Sequence, residues 1–503
     1  MPDRPHILIF NPDEWRGDVL GHVGNPGAVT PNIDALATGD GVSFSRAFCQ
    51  NPVCTPSRCS FMTGWYPHIH GHRTMYHMLR PHEPMLLRTL RENGYFVWWG
   101  GKNDVVPGQD GFDPYCDVKH QVARRTGLSG RGQFDQTRGT PEDDTYYSFY
   151  VGRIAPPEGG EVYRDGDWDH VLGAVEFIRN APADRPLCIY LPIGYPHCPY
   201  AVEEPWYSMI DRAKVPPCIP ARDDPNEPSM LRGIRRRQHM HAWTEDRWTE
   251  LRATYYGMCA RVDHQFGLVL QALKDTGLYD DTAVFLFSDH GDFAGDYGLV
   301  EKNQNTFEDC LTRVPLIVKP PKGVPLRQET SEVSETSEVS EARVTDALVE
   351  LIDVPATIEA LAGIEPGHTH FGRSLLPLIT GEADAHRDAV FCEGGRLHGE
   401  RQCMELESSS SQVPTGFYWP RVNLQQSEGP EHTKAVMCRT ATHKYVRRLY
   451  ESDELYDLAA DPREEVNRIN DPALAPVLAD LRERMLTFFL ETGDIVPFDT
   501  DER

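Results

Sequence analysis

Ala283-Val284-Phe285-Leu286-Phe287-Ser288-Asp289-His290-Gly291-Asp292 is a short apolar run that empties directly into a polar, acidic loop. The run reads as a buried strand, because it lacks the polar alternation of a half-exposed one. Three other stretches repeat the pattern. Ile7 to Phe10 runs into Asn11-Pro12-Asp13-Glu14, Phe96 to Trp99 into Gly100-Gly101-Lys102, and Leu187 to Leu191 into Gly194-Tyr195-Pro196-His197. Amphipathic stretches lie between them, as in Glu250 to Leu273, which Gly277 would end. Buried strands alternating with helices specify an α/β fold. In open parallel sheets ligands sit outside the carboxyl ends of the strands, so the four polar loops are expected to converge on one site.

At 503 residues the chain can bury a large core and a smaller second one. The core pattern resumes from Val344 to Leu361 after a Ser/Glu/Val/Thr repeat over Glu329 to Glu341, which has too little apolar content to pack and is expected to be a mobile loop. A smaller domain is expected from residue 388 to 503, after a larger domain over 1–387. Its strands are expected at Ala389-Val390-Phe391 and Lys444-Tyr445-Val446, with a closing helix over Ala473 to Leu490.

The net charge of −26 argues against nucleic acid or an anionic membrane as the main partner, although a cation and a few basic residues can still make a pocket for a small anion. The basic run Arg232 to Arg237 is expected to be solvated surface. Met1 to Pro5 lead straight into a strand with no basic and apolar leader pattern, and no segment has the length of a membrane span. The twelve cysteines show no CxxC pair or small-scaffold spacing. The expectation is a soluble, cytoplasmic protein with free thiols.

One cysteine stands apart. Cys54-Thr55-Pro56-Ser57-Arg58 is followed by Cys59-Ser60-Phe61-Met62-Thr63-Gly64. A cysteine that merely fills a core needs neither the proline nor the arginine. With the strand into Asp13, Thr30-Pro31-Asn32-Ile33-Asp34-Ala35-Leu36-Ala37, Ser288-Asp289-His290-Gly291, Glu301-Lys302 and the late Glu454-Leu455-Tyr456-Asp457-Leu458 with Asp461-Pro462, this motif resembles the sulfatase family of the alkaline-phosphatase superfamily. There is also similarity to its choline-sulfatase and phosphonate monoester hydrolase branch.

The resemblance implies an alkaline-phosphatase-like α/β/α sandwich with a mixed, mainly parallel sheet and a smaller C-terminal α+β subdomain. It implies that Cys54 is oxidised to formylglycine (3-oxoalanine) by a maturation enzyme. Asp13, Asp289, His290 and an oxygen of modified Cys54 would hold one divalent cation, Ca²⁺ from the family with Mn²⁺ as the rival. Glu14 stands where relatives have Asp or Gln, and is a further candidate ligand. Arg58 and Lys102 would stabilise the aldehyde hydrate, Lys302 the transferred group, and His197 would protonate the leaving oxygen. Asn103-Asp104 replace the Trp and His that often follow the lysine. The bland alternatives are turn or cap duty for the two Asp and a surface role for Lys302.

The activity implied is hydrolysis of a small-molecule or saccharide sulfate ester. A phosphonate monoester or phosphodiester hydrolase is the alternative. A scaffold that lost its chemistry leaves the motif unexplained, and a thiol hydrolase leaves the metal carboxylates unexplained. The run His70, His72, His77 and His82 has no recognisable zinc spacing, and one or two are expected to line the substrate pocket. Trp65, Tyr66, Tyr76 and Trp98 are candidates for stacking a ring or for core. Oligomeric state is open.

Overall fold

The computed structural model describes residues 4–122, 130–155, 163–222, 224–327, 342–405, 412–500 and 502, so the Glu329 to Glu341 repeat lies outside the described residues. Eight strands form the central sheet in the order Val344–Thr345, Val42–Phe44, Leu316–Lys319, Thr282–Phe287, His6–Asp13, Leu187–Pro196, Phe96–Trp99, Val118–Lys119. All neighbours pair in parallel except Leu316–Lys319, which is antiparallel to both of its own. The fold is thus α/β with a mixed, mainly parallel sheet.

The central strands His6–Asp13 and Thr282–Phe287 are buried at every position because both faces are covered. Ile7, Ile9, Cys188, Tyr190 and Phe285 join one core with residues of the helices Cys54–Thr63, Leu86–Glu92 and Asp353–Ala362. Their immediate neighbours Leu8, Phe10, Ile189, Leu191 and Val284 join the other, against Pro31–Thr38, Gly166–Arg179 and the long Glu245–Asp275. The side-chain period of two on the strands therefore sorts alternate residues into the two layers of an α/β/α sandwich.

A second sheet of four antiparallel strands, Val390–Gly394, Ala435–Arg439, His443–Arg448 and Glu454–Asp457, follows in chain order. The helix Ala475–Thr492 closes one face of it through Leu481 and Met485 against Val436, Cys438 and Tyr445. This sheet backs the active-site region closely. A Cβ on Gly394 would sit 1.6 Å from the carbonyl oxygen of Gln304, so only glycine permits that approach. Arg448 adds a hydrogen bond from Nη1 to the carbonyl of Asn305 at 2.8 Å. Among the described residues no helix is long and apolar enough to cross a membrane, and all twelve cysteines are free.

Candidate active site

The four strand ends do meet. Asp13, Cys54, Asp289 and His290 are buried, and one potential ligand atom from each lies within 4.8 Å of the others. Cys54 is the first residue of its helix, preceded by Val53 in an extended conformation, so its side chain stands at the positive end of the helix dipole. The helix stops at Gly64, whose φ of 73° is left-handed and whose Cβ would lie 2.7 Å from His370 Cβ. Ser57 ties the helix to the Asp289 loop by donating its hydroxyl to the Asp289 carbonyl at 2.6 Å.

The His290 ring has a defined tautomer. Its Nδ1–H donates to the carbonyl of Gly291 at 2.9 Å, leaving the Nε2 lone pair 3.5 Å from Asp13 Oδ1 and 3.2 Å from Cys54 Sγ. Burial pushes its pKa down and favours the neutral ring. A backbone carbonyl fixing the far nitrogen is how metal-ligating imidazoles are usually oriented. Two carboxylates and an imidazole lone pair converging around Cys54 Sγ, which is 3.4 Å from Asp13 Oδ1, fit a divalent cation.

Cations hold the carboxylates. Arg58 is fully buried, with Nη2 2.9 Å from Asp289 Oδ2 and 3.3 Å from Asp13 Oδ2, and Nη1 donating to Asn11 Oδ1 at 2.8 Å. Lys102 pairs with Asp13, lies 2.8 Å from Asp104 Oδ2, and reaches 3.6 Å from Cys54 Sγ. Against the upward push of burial, Lys102, His197 and Arg58 hold Asp13 well below the usual carboxylate range. Burial, reinforced by Asp13, pushes the Cys54 thiol well up despite the two lysines, so the unmodified cysteine is a protonated and weak nucleophile.

Glu14, expected among the cation's ligands, is not one of the four converging groups. Its φ of 70° takes it out of the strand alternation, and the N–H of Glu14 donates to Asp289 Oδ1 while Tyr255 donates to its carbonyl. Oε2 instead lies 3.0 Å from Lys302 Nζ and 3.4 Å from His197 Nδ1, while Oε1 has no hydrogen-bond partner. Burial, with Asp292 and Glu301 adding negative charge, favours its neutral form even beside Lys302.

His197 donates Nδ1–H to the carbonyl of Cys198 at 2.6 Å and accepts at Nε2 from Lys302 at 2.9 Å. Burial and the Lys302 charge push it down to about 3, so in this geometry the lysine carries the proton and the imidazole accepts. Lys302 is also 3.1 Å from Glu301, which Arg421 holds at 3.0 Å.

A cavity of about 320 Å³ opens at this place, lined in part by Lys102, Tyr163, Asp167, Tyr195 and His197. None of the four sequence-selected histidines lines it, and neither does the basic run on the helix Ser229–Gln238. Trp65, Tyr66 and Trp98 are core, and the half-exposed Tyr76 lies outside the cavity wall. Sequence reading missed Asn11, Asp104, Arg421 and Tyr190, whose hydroxyl accepts from Arg58 Nη1 at 3.3 Å. Asn11 had a signal, since it shares a strand face with Asp13. Asp104 filled a position noted only for what it lacked: Asn103 makes the local turn with its Oδ1 accepting from Val105 and Val106, and this presents Asp104 to Lys102.

Two buried carboxylates and an imidazole beside a helix-terminal cysteine, at the carboxyl end of a mainly parallel sheet, are the arrangement of an alkaline-phosphatase-type hydrolase. The Sulfatase family profile matches residues 5–364, and the chain belongs to that family. It is 25% identical to the multifunctional alkaline phosphatase superfamily protein PehA of Trinickia caryophylli, over 98% of this chain and 96% of that one. It is 27% identical to arylsulfatase K of Danio rerio, over 75% of this chain and 68% of the relative. The phosphonate monoester hydrolase of Agrobacterium radiobacter superposes with a TM-score of 0.73 at 24% identity, covering 99% of this chain and all of the other, and shares the fold.

Proposed function

We propose that the chain hydrolyses a sulfate monoester of a small alcohol, phenol or saccharide, using a formylglycine made from Cys54 and a Ca²⁺ ion, with Mn²⁺ the alternative cation. The convergence of Asp13, Asp289 and His290 on Cys54 carries this reading. Asp13, Asp289, His290 and an oxygen at position 54 would hold the ion. When present, the ion supplies a Lewis acid and the hydrated aldehyde an oxygen nucleophile with a second hydroxyl for release.

The chain's own residues prepare that chemistry. Arg58 pairs with both carboxylates and aims them. Lys102, within reach of position 54, stabilises negative charge there, and Lys302 does so on the transferred group; preorganised donors of this kind are each worth roughly 3–4 kcal/mol of barrier. The Lys302–His197 pair holds a proton between two bases beside the cavity and is the source for the leaving oxygen. Glu14, neutral by burial, keeps that pair in place. Cys54 is 1% exposed, so a maturation enzyme would reach it only before the helix packs.

The test joins two measurements on protein made in a host with the maturation enzyme. Peptide mass spectrometry across residue 54 is expected to find the aldehyde, and an aryl sulfate is expected to be turned over faster than an aryl phosphonate monoester. An unconverted cysteine in fully active protein would overturn the nucleophile. The second reading, phosphonate monoester or phosphodiester hydrolysis, draws on full-length similarity to PehA and to the phosphonate monoester hydrolase fold. A preference for the phosphonate by orders of magnitude would establish it instead.

A further inference from the structure

We propose that His70, His72 and Glu83 form a second metal site, for Zn²⁺ or a similar late first-row divalent ion, separate from the Asp13–Asp289 centre. One ligand atom from each of the three lies within 4.8 Å of the others. His72 and Glu83 are 6% and 4% exposed, too buried for an idle polar pair.

The hydrogen bonds of His72 identify its free electron pair. A carbonyl only accepts, so the 2.7 Å contact between His72 Nδ1 and the carbonyl of His77 places the proton on Nδ1. In the neutral ring that leaves the lone pair on Nε2. It points at Glu83, 3.1 Å from Oε2, and makes no hydrogen bond. With His72 neutral these are two acceptors aimed at one another in a buried place, and a cation between them satisfies both. Tetrahedral zinc with bonds of ~2.0–2.2 Å spaces its ligand atoms by ~3.3 Å, so the pair needs almost no movement. The carbonyl behind Nδ1 supplies the outer support that zinc-binding imidazoles usually have.

The other two groups are also held. Glu83 Oε2 accepts the backbone N–H of Arg80 at 2.6 Å, and Oε1 lies 2.5 Å from His70 Nδ1. The His70 ring leans on Trp65 with centroids 4.8 Å apart. His70 itself is exposed, which gives an ion a way in and leaves a fourth position to water. Two imidazoles and one carboxylate select Zn²⁺ and its neighbours over Ca²⁺, unlike the oxygen-rich centre at Asp13. The loop carrying these residues bonds to the Lys102 loop through the N–H of Leu79 and the carbonyl of Val105 at 2.9 Å, so an ion here would brace that loop.

The test uses full-length protein stripped with chelator and then saturated with Ca²⁺, which fills the harder centre. Zn²⁺ is titrated by calorimetry and Co²⁺ by visible absorption. Wild type is expected to bind one Zn²⁺ per chain and to give the intense visible bands of tetrahedral Co²⁺. His72→Gln and His70→Gln are expected to weaken Zn²⁺ binding by about 100-fold or more, beyond the 10–100-fold usual for a lost outer-shell partner. His82→Gln, an exposed neighbour, is expected to bind as wild type does. Far-UV circular dichroism confirms that each variant is folded, and if Glu83→Gln does not fold, the two histidine variants decide the matter. No Zn²⁺ uptake by Ca²⁺-saturated wild type, or equal uptake by wild type and both folded histidine variants, overturns the proposal.

Discussion

Arg58→Met is the sharpest probe of how the carboxylate cluster tolerates burial. Methionine replaces the guanidinium with an unbranched apolar chain that can fill much of the same space. Lys102 still serves Asp13, but Asp289 loses the cation 2.9 Å from its Oδ2, and His290 beside it is held neutral by burial. At an effective dielectric constant near 20, an ion pair at that distance is worth about 6 kcal/mol of attraction, offset by the arginine's own desolvation. Removing one member of a buried pair typically leaves a net loss of about 3–5 kcal/mol. A divalent ion restores positive charge at the same carboxylates and, at 100 times its Kd, adds about 2.7 kcal/mol to the folded state. The more negative variant site is expected to bind it more tightly. Urea unfolding followed by circular dichroism should therefore show a loss of about 3–5 kcal/mol in chelator, and at equal Ca²⁺ a roughly 30-fold tighter Kd of the variant would narrow it by about 2 kcal/mol. A loss under about 1 kcal/mol in chelator, or one that Ca²⁺ leaves unchanged, would refute the role given to Arg58.

Cys54→Ala is expected to abolish turnover while leaving the thermal midpoint near wild type; residual turnover above about one part in a thousand sinks the covalent mechanism. Glu14→Gln should change Ca²⁺ affinity less than threefold, roughly 0.6 kcal/mol, but lower kcat, because its carboxylate faces Lys302 and His197. Calorimetry showing a loss of tenfold or more would make Glu14 a ligand after all. Gly101→Ala places a side chain at φ 87° with its Cβ 1.8 Å from the Pro192 oxygen, so about 2–4 kcal/mol of stability should disappear with the seat of Lys102. A thermal midpoint within a degree of wild type would contradict this. Burial, aided by the charges of His120 and Lys119, pushes His170 down to about 4, and its Nδ1 accepts the Gly101 N–H at 2.9 Å. The unfolded chain binds this proton near pH 6.5 and the folded chain only near 4, so stability is lost as pH falls across that window, by at most about 3.4 kcal/mol and, discounted for the ring's partial exposure to solvent, by about 2 kcal/mol. His170→Gln should flatten the slope of unfolding free energy between pH 7 and 4; an unchanged slope excludes His170 as its source.

How far the sequence could be read follows from what each feature depends on. The central strands were legible because burial on both faces makes them continuous apolar runs, and their polar ends marked the site for the same reason. Asp13, Cys54, Lys102, His197, Asp289 and His290 could be named because each lies within a few residues of a strand end or in the cysteine motif, whereas Lys302, far from any strand end, was named by resemblance alone. What a side chain faces was not legible where the backbone leaves its regular period. Glu14 follows a register shift after Pro12 and adopts a positive φ, so neither strand alternation nor chain position reveals that its side chain meets Lys302.

The histidine loop shows the same limit more strongly. His70 and His72 are separated from Glu83 by irregular chain, and no helical or strand period relates them. A linear search for zinc spacing therefore rejects the set. Packing brings the three together through contacts that sequence does not encode locally: the His77 carbonyl behind His72, the Arg80 N–H on Glu83 and the Trp65 ring under His70. Each of these fixes a direction rather than a position. It is direction, here the lone pair of His72 left facing a carboxylate, that separates a ligand set from three polar residues that happen to be close.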